Sequence, residues 1–537
     1  MSEAPYDIVP WSGELPGGDF DYIVIGSGMG GLTCAASLSA MGRRVLVLEQ
    51  HYTPGGFTHS FRRGPRTWDV GVHLVGEVTE KDEFGRLLRF LTGDRLKWSS
   101  LGPVYDRYAF PDGFTFEYPD SPEAYRAALL DSFPAEQKAI DRWLTLVTES
   151  YAPLMQHLKS RALPRGIDRV AQALLARGAK RFLETRAQHL LDELSDDPRL
   201  KAVLSAQWFY WGTPPSRSSA AVNLLAARMF LWGGYYPVGG SPAIADGLLR
   251  PIYAAGGCLR VRADVEEILV HRGRAVGVRV RGRHGRPSTD VHAKRVISAA
   301  GAYATVTRLL PEACRSEPWI DQITRLEPNQ AHVCLYLGYR GDIRRAGASA
   351  ANLGIYDTWD VEARWDVEAG RVGRCPFLWC GFGSLKNPLH TSSDEALHTG
   401  EVMAFLRWDA VARWSGTRHR RRGADYDRFK EELKSVLLSQ LLERMPDLEP
   451  FIEHVELSTP LTTEHFARPV AGAIYGLHTT VERMQTGALR ARTPIQNLFF
   501  AGNEVALSGV AGAGLGGVLA AVAAEPLGSR VLLRAMQ

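Results

Sequence analysis

Gly26, Gly28 and Gly31 stand in the spacing G-x-G-x-x-G, and an acid, Glu49, follows at about the twenty-residue distance of a dinucleotide site. Each residue type has a physical job there. Gly26 permits a tight turn, Gly28 lets backbone approach a pyrophosphate, and Gly31 lets a helix pack closely on a strand. With Ser27, Met29 and Gly30 they would place the pyrophosphate at a helix N-terminus, where unpaired N–H groups and the helix dipole favour an anion. Glu49 can accept hydrogen bonds from ribose hydroxyls, and its charge would repel a 2′-phosphate, which argues against NADP in this site.

The flanking residues supply the elements that such a site needs. The apolar run Tyr22–Ile25 precedes the glycines, a helix-compatible run, Leu32 to Met41, follows them, and Arg44-Val-Leu-Val-Leu-Glu49 reads as the second strand. That is a βαβ unit. By itself it does not distinguish FAD from NAD. A second G-x-G-x-x-G, at Gly512, Gly514 and Gly517, has too little chain after it for a strand and a ribose acid, so no separate nicotinamide domain is expected. Nicotinamide, if used, would bind transiently or act through a partner.

The residues after Glu49 resolve the cofactor by resemblance. Gln50-His-Tyr-Thr-Pro-Gly55-Gly56-Phe-Thr-His59 and Trp68-Asp-Val-Gly-Val-His73 resemble the N-terminal signature of the phytoene desaturase, carotenoid isomerase and retinol saturase superfamily of FAD enzymes, relatives of the amine oxidases. Gly233-Gly-Tyr-Tyr-Pro-Val-Gly239-Gly240, Ala263-Asp-Val265 and the C-terminal Gly502-Asn-Glu504 with Ser508 to Gly517 resemble its later motifs. The resemblance implies an α/β fold: a Rossmann-type FAD-binding domain with an interleaved α+β substrate domain. It assigns FAD contacts to Gly55, Gly56, His59, Val265 (bracketing adenine), Gly502, Glu504, Gly512 and Gly514, beside Gln50 and the first-motif residues. Tyr210-Trp-Gly-Thr-Pro-Pro leans toward the saturase and isomerase branch. Phe57-Thr58 departs from the cysteines that retinol saturases commonly carry there.

The expected organisation is an arm (1–19), FAD-binding segments at 20–90, 236–325 and 485–537, and substrate-domain segments at 91–235 and 326–484. Leu259 to Val270 and Ala275 to Val280 read as a hairpin turning at Arg272-Gly273, residues 122–202 read as helical, and Val333 to Gly338 as a substrate-domain strand. The 537 residues suffice for more than one domain, and a net charge of +4 argues against nucleic acid as a partner. The six cysteines are scattered with no C-x-x-C pair, and no metal-ligand spacing stands out. The polar start carries no leader pattern, and no apolar run is long enough to span a bilayer, so a reducing, cytoplasmic setting is expected. Ile167, Val170, Ala171, Leu174 and Leu175, at helical spacing among Arg165, Arg169, Arg177, Lys180 and Arg181, read either as a surface helix packed on the core or as a peripheral membrane contact.

Adding or removing two hydrogens across a C–C bond needs a hydride path and a proton donor or acceptor on the other carbon. Tyr235 and Tyr236 are the candidates for the substrate side of the flavin. His73 is a further candidate, or a support for the loop beneath the ring. The aromatics Trp208, Phe209, Tyr210, Trp211, Phe230 and Trp232 would line an apolar tunnel. The expected substrate is an apolar isoprenoid or polyene that is saturated, desaturated or isomerised, with the electron donor or acceptor open. A flavin amine oxidase and a non-catalytic isoprenoid-binding flavoprotein are the alternatives.

Overall fold

The computed structural model describes residues 6–537 except 15–16, 165, 176, 369–370 and 391–394. Tyr22–Ile25 and Val45–Leu48 are buried along their whole length, as continuous β-branched and Leu runs must be when a parallel sheet is covered on both faces. They form the middle of a six-stranded parallel sheet with strand order Val9–Pro10, Cys258–Val261, Val45–Leu48, Tyr22–Ile25, Arg295–Ser298, Leu498–Phe500. The sheet thus draws strands from segments far apart in the chain. The expected arm is not loose throughout: Val9–Pro10 adds an edge strand, the Trp11 N–H donates to the Val261 carbonyl (2.8 Å), and the Trp11 ring is buried.

The run from Leu259 to Val270 divides between two sheets. Cys258–Val261 joins the parallel sheet, while Val265–His271 pairs with Arg274–Val280 as an antiparallel hairpin. Its two-residue turn holds Arg272 at φ 49° and Gly273 at φ 73°, the geometry that matches the natural strand twist.

A second, seven-stranded sheet includes the long strand Ala331–Arg340, which contains the expected strand, lies next to one edge and pairs with both Leu397–Leu406 and Ile452–Ser458. Successive residues point to opposite faces, so two cores share one strand. Val333, Leu335 and Leu337 pack toward the long helix Ala424–Arg444, through its Leu433, Leu437 and Leu441. Cys334 and Tyr336 turn the other way, toward an aromatic core with Trp379, Met403 and the helical segment between 122 and 230.

Helices Met29–Ala40 and Gly509–Ala524 pack closely through positions that admit no side chain. A Cβ on Gly517 would fall 2.3 Å from the Gly30 carbonyl oxygen, one on Gly516 2.0 Å from that of Gly502, and one on Gly30 2.4 Å from the Gly502 Cα. Gly517→Val is therefore expected to cost about 1–3 kcal/mol by overpacking. Gly487→Ala, where nothing lies within 4 Å of the new methyl, serves as control and is expected to stay within about 0.5 kcal/mol. Denaturant unfolding of the two variants against the parent chain reads the difference.

Candidate active site

One cavity of about 820 Å³ runs from the N-terminus of helix Met29–Ala40 to the aromatic face of the seven-stranded sheet. At the first end it is lined by Gly26, Gly28, Met29, Gly30, Glu49, Gln50, Gly56, His59, Val265, Gly502 and Glu504. Gly26 sits at φ +94°, where a side chain would be strained, and its N–H donates to the Leu48 carbonyl (2.8 Å). Gly28 faces the Gly56 Cα across only 4.0 Å from its missing Cβ, so the two glycines form a bare backbone cradle.

Several residues expected at the cofactor do not line this cavity and act one layer behind it. The Ser27 N–H and hydroxyl both donate to Glu49 Oε2 (2.8 and 2.6 Å), and the His51 N–H donates to Oε1 (2.7 Å), which fixes the buried carboxylate at the end of its strand. The Ser27 carbonyl also accepts from the Gly55 N–H (3.1 Å). Gly31 packs its Cα against the Gly26 carbonyl. Gly512 abuts Leu507 and Gly514 the Phe84 ring, so these two serve helix packing rather than the cavity wall.

The C-terminal motif is held by two buried guanidiniums that lie outside every motif. Arg483 donates to the carbonyls of Leu477 and Asn503, and Arg161 to those of Met484 and Val505. Both are over nine-tenths buried, and burial lowers both pKa values. Glu504 is buried beside this clamp, and its Oε2 accepts from the Tyr303 N–H (3.1 Å). Its pKa is raised by burial, partly offset by Arg483.

The far end of the cavity is an aromatic and aliphatic chamber bounded by Phe209, Tyr210, Trp211, Leu225, Phe230, Tyr336 and Met403. Trp208 and Trp232 lie elsewhere: Trp208 packs on Phe405, and Trp232 is 43% exposed under the Arg228 guanidinium. Two imidazoles interrupt the apolar wall. His73 Nε2 and His332 Nδ1 have no hydrogen-bond partner, and burial lowers both pKa values, that of His332 to about 4, so both rings are neutral at pH 7.

Tyr235 and Tyr236 do not reach the chamber. Their strand, Tyr235–Pro237, pairs with Trp98–Ser100 and directs the Tyr236 hydroxyl onto Asp69, where Ser241 also donates. Tyr235 is partly buried, with its hydroxyl near the Trp232 carbonyl. Asp69 lies in the same run as His73, so Tyr236 steadies the segment that carries the imidazole. Beneath it the fully buried Lys386 donates to the His73 carbonyl (2.9 Å) and to Asn352. Burial pushes Lys386 and its neighbour Glu401 toward their neutral forms. Sequence patterns missed this cluster because lone charges in apolar runs carry no spacing signature.

A match to the family described as flavin containing amine oxidoreductase spans residues 29–396. The all-trans-retinol 13,14-reductase of Homo sapiens is 31% identical over 521 residues, 93% of this chain and 84% of that protein. The chloroplastic prolycopene isomerase 1 of an Oncidium hybrid cultivar is 25% identical, over 90% of this chain and 80% of that one. Among solved structures, cyclohexylamine oxidase from Brevibacterium oxydans IH-35A superposes with a TM-score of 0.58 at 18% identity, covering 96% of this chain and all of that one. The fold and the cradle define a flavoprotein of the amine-oxidase type. The chain belongs to the flavin-containing amine oxidoreductase family.

Replacing Arg483 by Met would leave the Leu477 and Asn503 carbonyls unpaired, at about 1–3 kcal/mol each. The expected outcome is a lower Tm and flavin lost on gel filtration, with Arg483→Lys intermediate in both.

Proposed function

We propose that the protein is an FAD-dependent oxidoreductase acting on C–C double bonds of an apolar isoprenoid or polyene. The observation that carries this reading is the single cavity joining the glycine cradle to the aromatic chamber. The cradle fits the cofactor: a close backbone approach of Gly28 and Gly56, where a Cβ on Gly56 would fall 2.8 Å from the Gly28 Cα, a helix N-terminus beside it, and a buried, oriented Glu49. Gly26, Gly28, Met29 and Gly30 would hold the pyrophosphate, Glu49 the adenosine ribose, Val265 the adenine, and Gly56, Gly502 and Glu504 the flavin half. Ser27, Gly31 and Gly55 act on that site by shaping it. Bound FAD supplies two-electron hydride chemistry at N5.

This chain's residues do the rest. The chamber takes an extended apolar molecule by contact with aromatic and aliphatic side chains and keeps water from the reacting bond. The neutral imidazole of His73 stands at its edge, supported from below by the Lys386 hydrogen bond. The retinol 13,14-reductases and prolycopene isomerases are the relatives that support a polyene substrate. A relative from Danio rerio described as an inactive all-trans-retinol 13,14-reductase, 25% identical, favours the second reading, an isoprenoid-binding flavoprotein without turnover.

No helix among the described residues is long and apolar enough to cross a membrane. We propose instead that the helix Ile167–Leu175 rests on a lipid surface. Its Asp168 turns inward to a buried ion pair with Arg490, while Ile167, Val170 and Leu174 are 60%, 59% and 70% exposed. Arg177 and Lys180 follow on the exposed surface, as an anionic headgroup layer would favour. Arg165 and the side chains of Arg169 and Leu175 lie outside the described residues.

The deciding experiment is anaerobic. Oxidised and photoreduced holoprotein is mixed with retinoids and carotenoids, and product mass and retention are followed. A gain of two hydrogens with reduced flavin identifies a saturase, a loss of two with oxidised flavin a desaturase, and unchanged mass with shifted retention an isomerase. Peroxide from amines with no polyene conversion would refute the proposal. In flotation with anionic vesicles, Ile167→Asp combined with Leu174→Asp is expected to lower the bound fraction at least tenfold. Unchanged flotation would remove the lipid contact.

A further inference from the structure

Behind the chamber wall lies a carboxylate that neither the cofactor nor the packing accounts for. Asp106 is fully buried on the strand Val104–Ala109. Its hydrogen-bond partners are all neutral. The Tyr210 hydroxyl lies 2.9 Å from both oxygens, Asn352 Nδ2 donates to Oδ1 (2.7 Å), and Gln207 Nε2 donates to Oδ2 (2.7 Å). The Tyr210 oxygen itself accepts from Trp379 Nε1 (2.9 Å), and Tyr210 is part of the chamber wall. Lys386 reaches this group only through the Asn352 carbonyl oxygen.

We propose that Tyr210 and Asp106 are the proton-delivering couple for a double-bond reduction, Tyr210 as the catalytic residue and Asp106 as the group that positions and recharges it. The inference rests on the polyene reading above and takes a reduced flavin as the hydride donor. When hydride adds to one alkene carbon, the π electron pair moves to its neighbour. That carbon forms a C–H bond as the Tyr210 O–H bond breaks, and Tyr210 regains a proton as the Asp106 O–H bond breaks. Asp106 is left as a carboxylate, to be reprotonated from solvent between turnovers. In the desaturating direction the same pair accepts the proton.

The hydrogen-bond geometry contains the switch. While Asp106 is ionised, the Tyr210 O–H is engaged by the carboxylate and unavailable to the chamber. The Tyr210 oxygen also accepts a longer bond from Asn352 Nδ2 (3.2 Å). Once Asp106 carries a proton, it donates to the Tyr210 oxygen in place of Asn352, and the Tyr210 O–H is released. The titratable groups facing Asp106 are Tyr105 and Tyr108 on its own strand, Tyr118 on the next, Tyr210, and Lys386 from the helix Gly383–Lys386. Burial raises the Asp106 pKa to about 7, against the hydrogen bonds of Asn352, Gln207 and Tyr210. The delivering form is therefore populated below pH 7 and is lost as pH rises through it.

The test uses photoreduced full-length holoprotein and all-trans-retinol in single turnover, in H₂O and D₂O, across pH 5.5–8.5. The wild-type product formed in D₂O should carry two solvent deuterons, because the N5 hydrogen of photoreduced flavin exchanges with solvent as the phenol proton does, with a rate falling about tenfold per pH unit above 7. Tyr210→Phe should slow product formation by about 10²–10⁴-fold, while the change in flavin absorbance on retinol binding is kept. Asp106→Asn should abolish the alkaline limb, a signature that a merely structural role would not produce. Wild-type rate and isotope effect in Tyr210→Phe, or a retained limb in Asp106→Asn, overturns the couple and leaves the polyene reading standing. A wild-type protein that reduces no retinoid or carotenoid overturns both.

Discussion

Backbone-to-backbone approach at the junction of three distant segments is the constraint on which this molecule depends. Gly30 touches Gly502, Gly516 touches the Gly502 carbonyl, and Gly517 touches Gly30. These contacts bring the first turn of one helix, the end of the last sheet strand and a C-terminal helix to one point, where the cradle is formed. A methyl group on Gly30, Gly516 or Gly517 would fall 2.4, 2.0 or 2.3 Å from the facing backbone atom, so the segments would have to move apart. The site is therefore shaped by what is missing from the chain at these positions.

Around that junction, buried polar groups do what packing cannot. Arg161 and Arg483 reach backbone carbonyls on either side of Glu504, so a loop without regular structure keeps its polar groups paired in the interior. Ser27 and the His51 N–H perform the same service for Glu49. At the other end, Lys386 ties the His73 segment to the second sheet through Asn352, and Asp69 ties it to Tyr236 and Ser241. The cavity is thus apolar where a substrate would lie and polar one layer further out, which keeps its shape at little cost in water exposure.

The two sheets divide the work. The parallel sheet presents the C-terminal ends of its strands to the cradle, as such sheets generally do for a ligand. The seven-stranded sheet, antiparallel in all but one pairing and alternating strictly along Ala331–Arg340, spends one face on a structural core and gives the other to the chamber. Tyr336 and His332 reach the cavity because they share the same parity on that strand.

Much of this was legible in the chain. Continuous apolar runs marked Tyr22–Ile25 and Val45–Leu48, alternation marked the hairpin at Arg272-Gly273, and the glycine spacing marked the turn between strand and helix, because each is a local consequence of a 2.0 or 3.6 residue period or of a φ that only glycine tolerates readily. Tyr235 and Tyr236 were assigned to the substrate side on motif alone, and strand pairing with Trp98–Ser100 turned them away. Gly512 and Gly514 share a motif with the cofactor residues yet face Leu507 and Phe84. The sequence by itself determined the fold class and the glycine cradle between first strand and helix, because those signals are short-range. Only the tertiary structure decided that Tyr210, His73 and His332 meet at the chamber with Asp106 behind its wall, because their encounter depends on strand register and on contacts spanning more than a hundred residues, for which no local pattern exists.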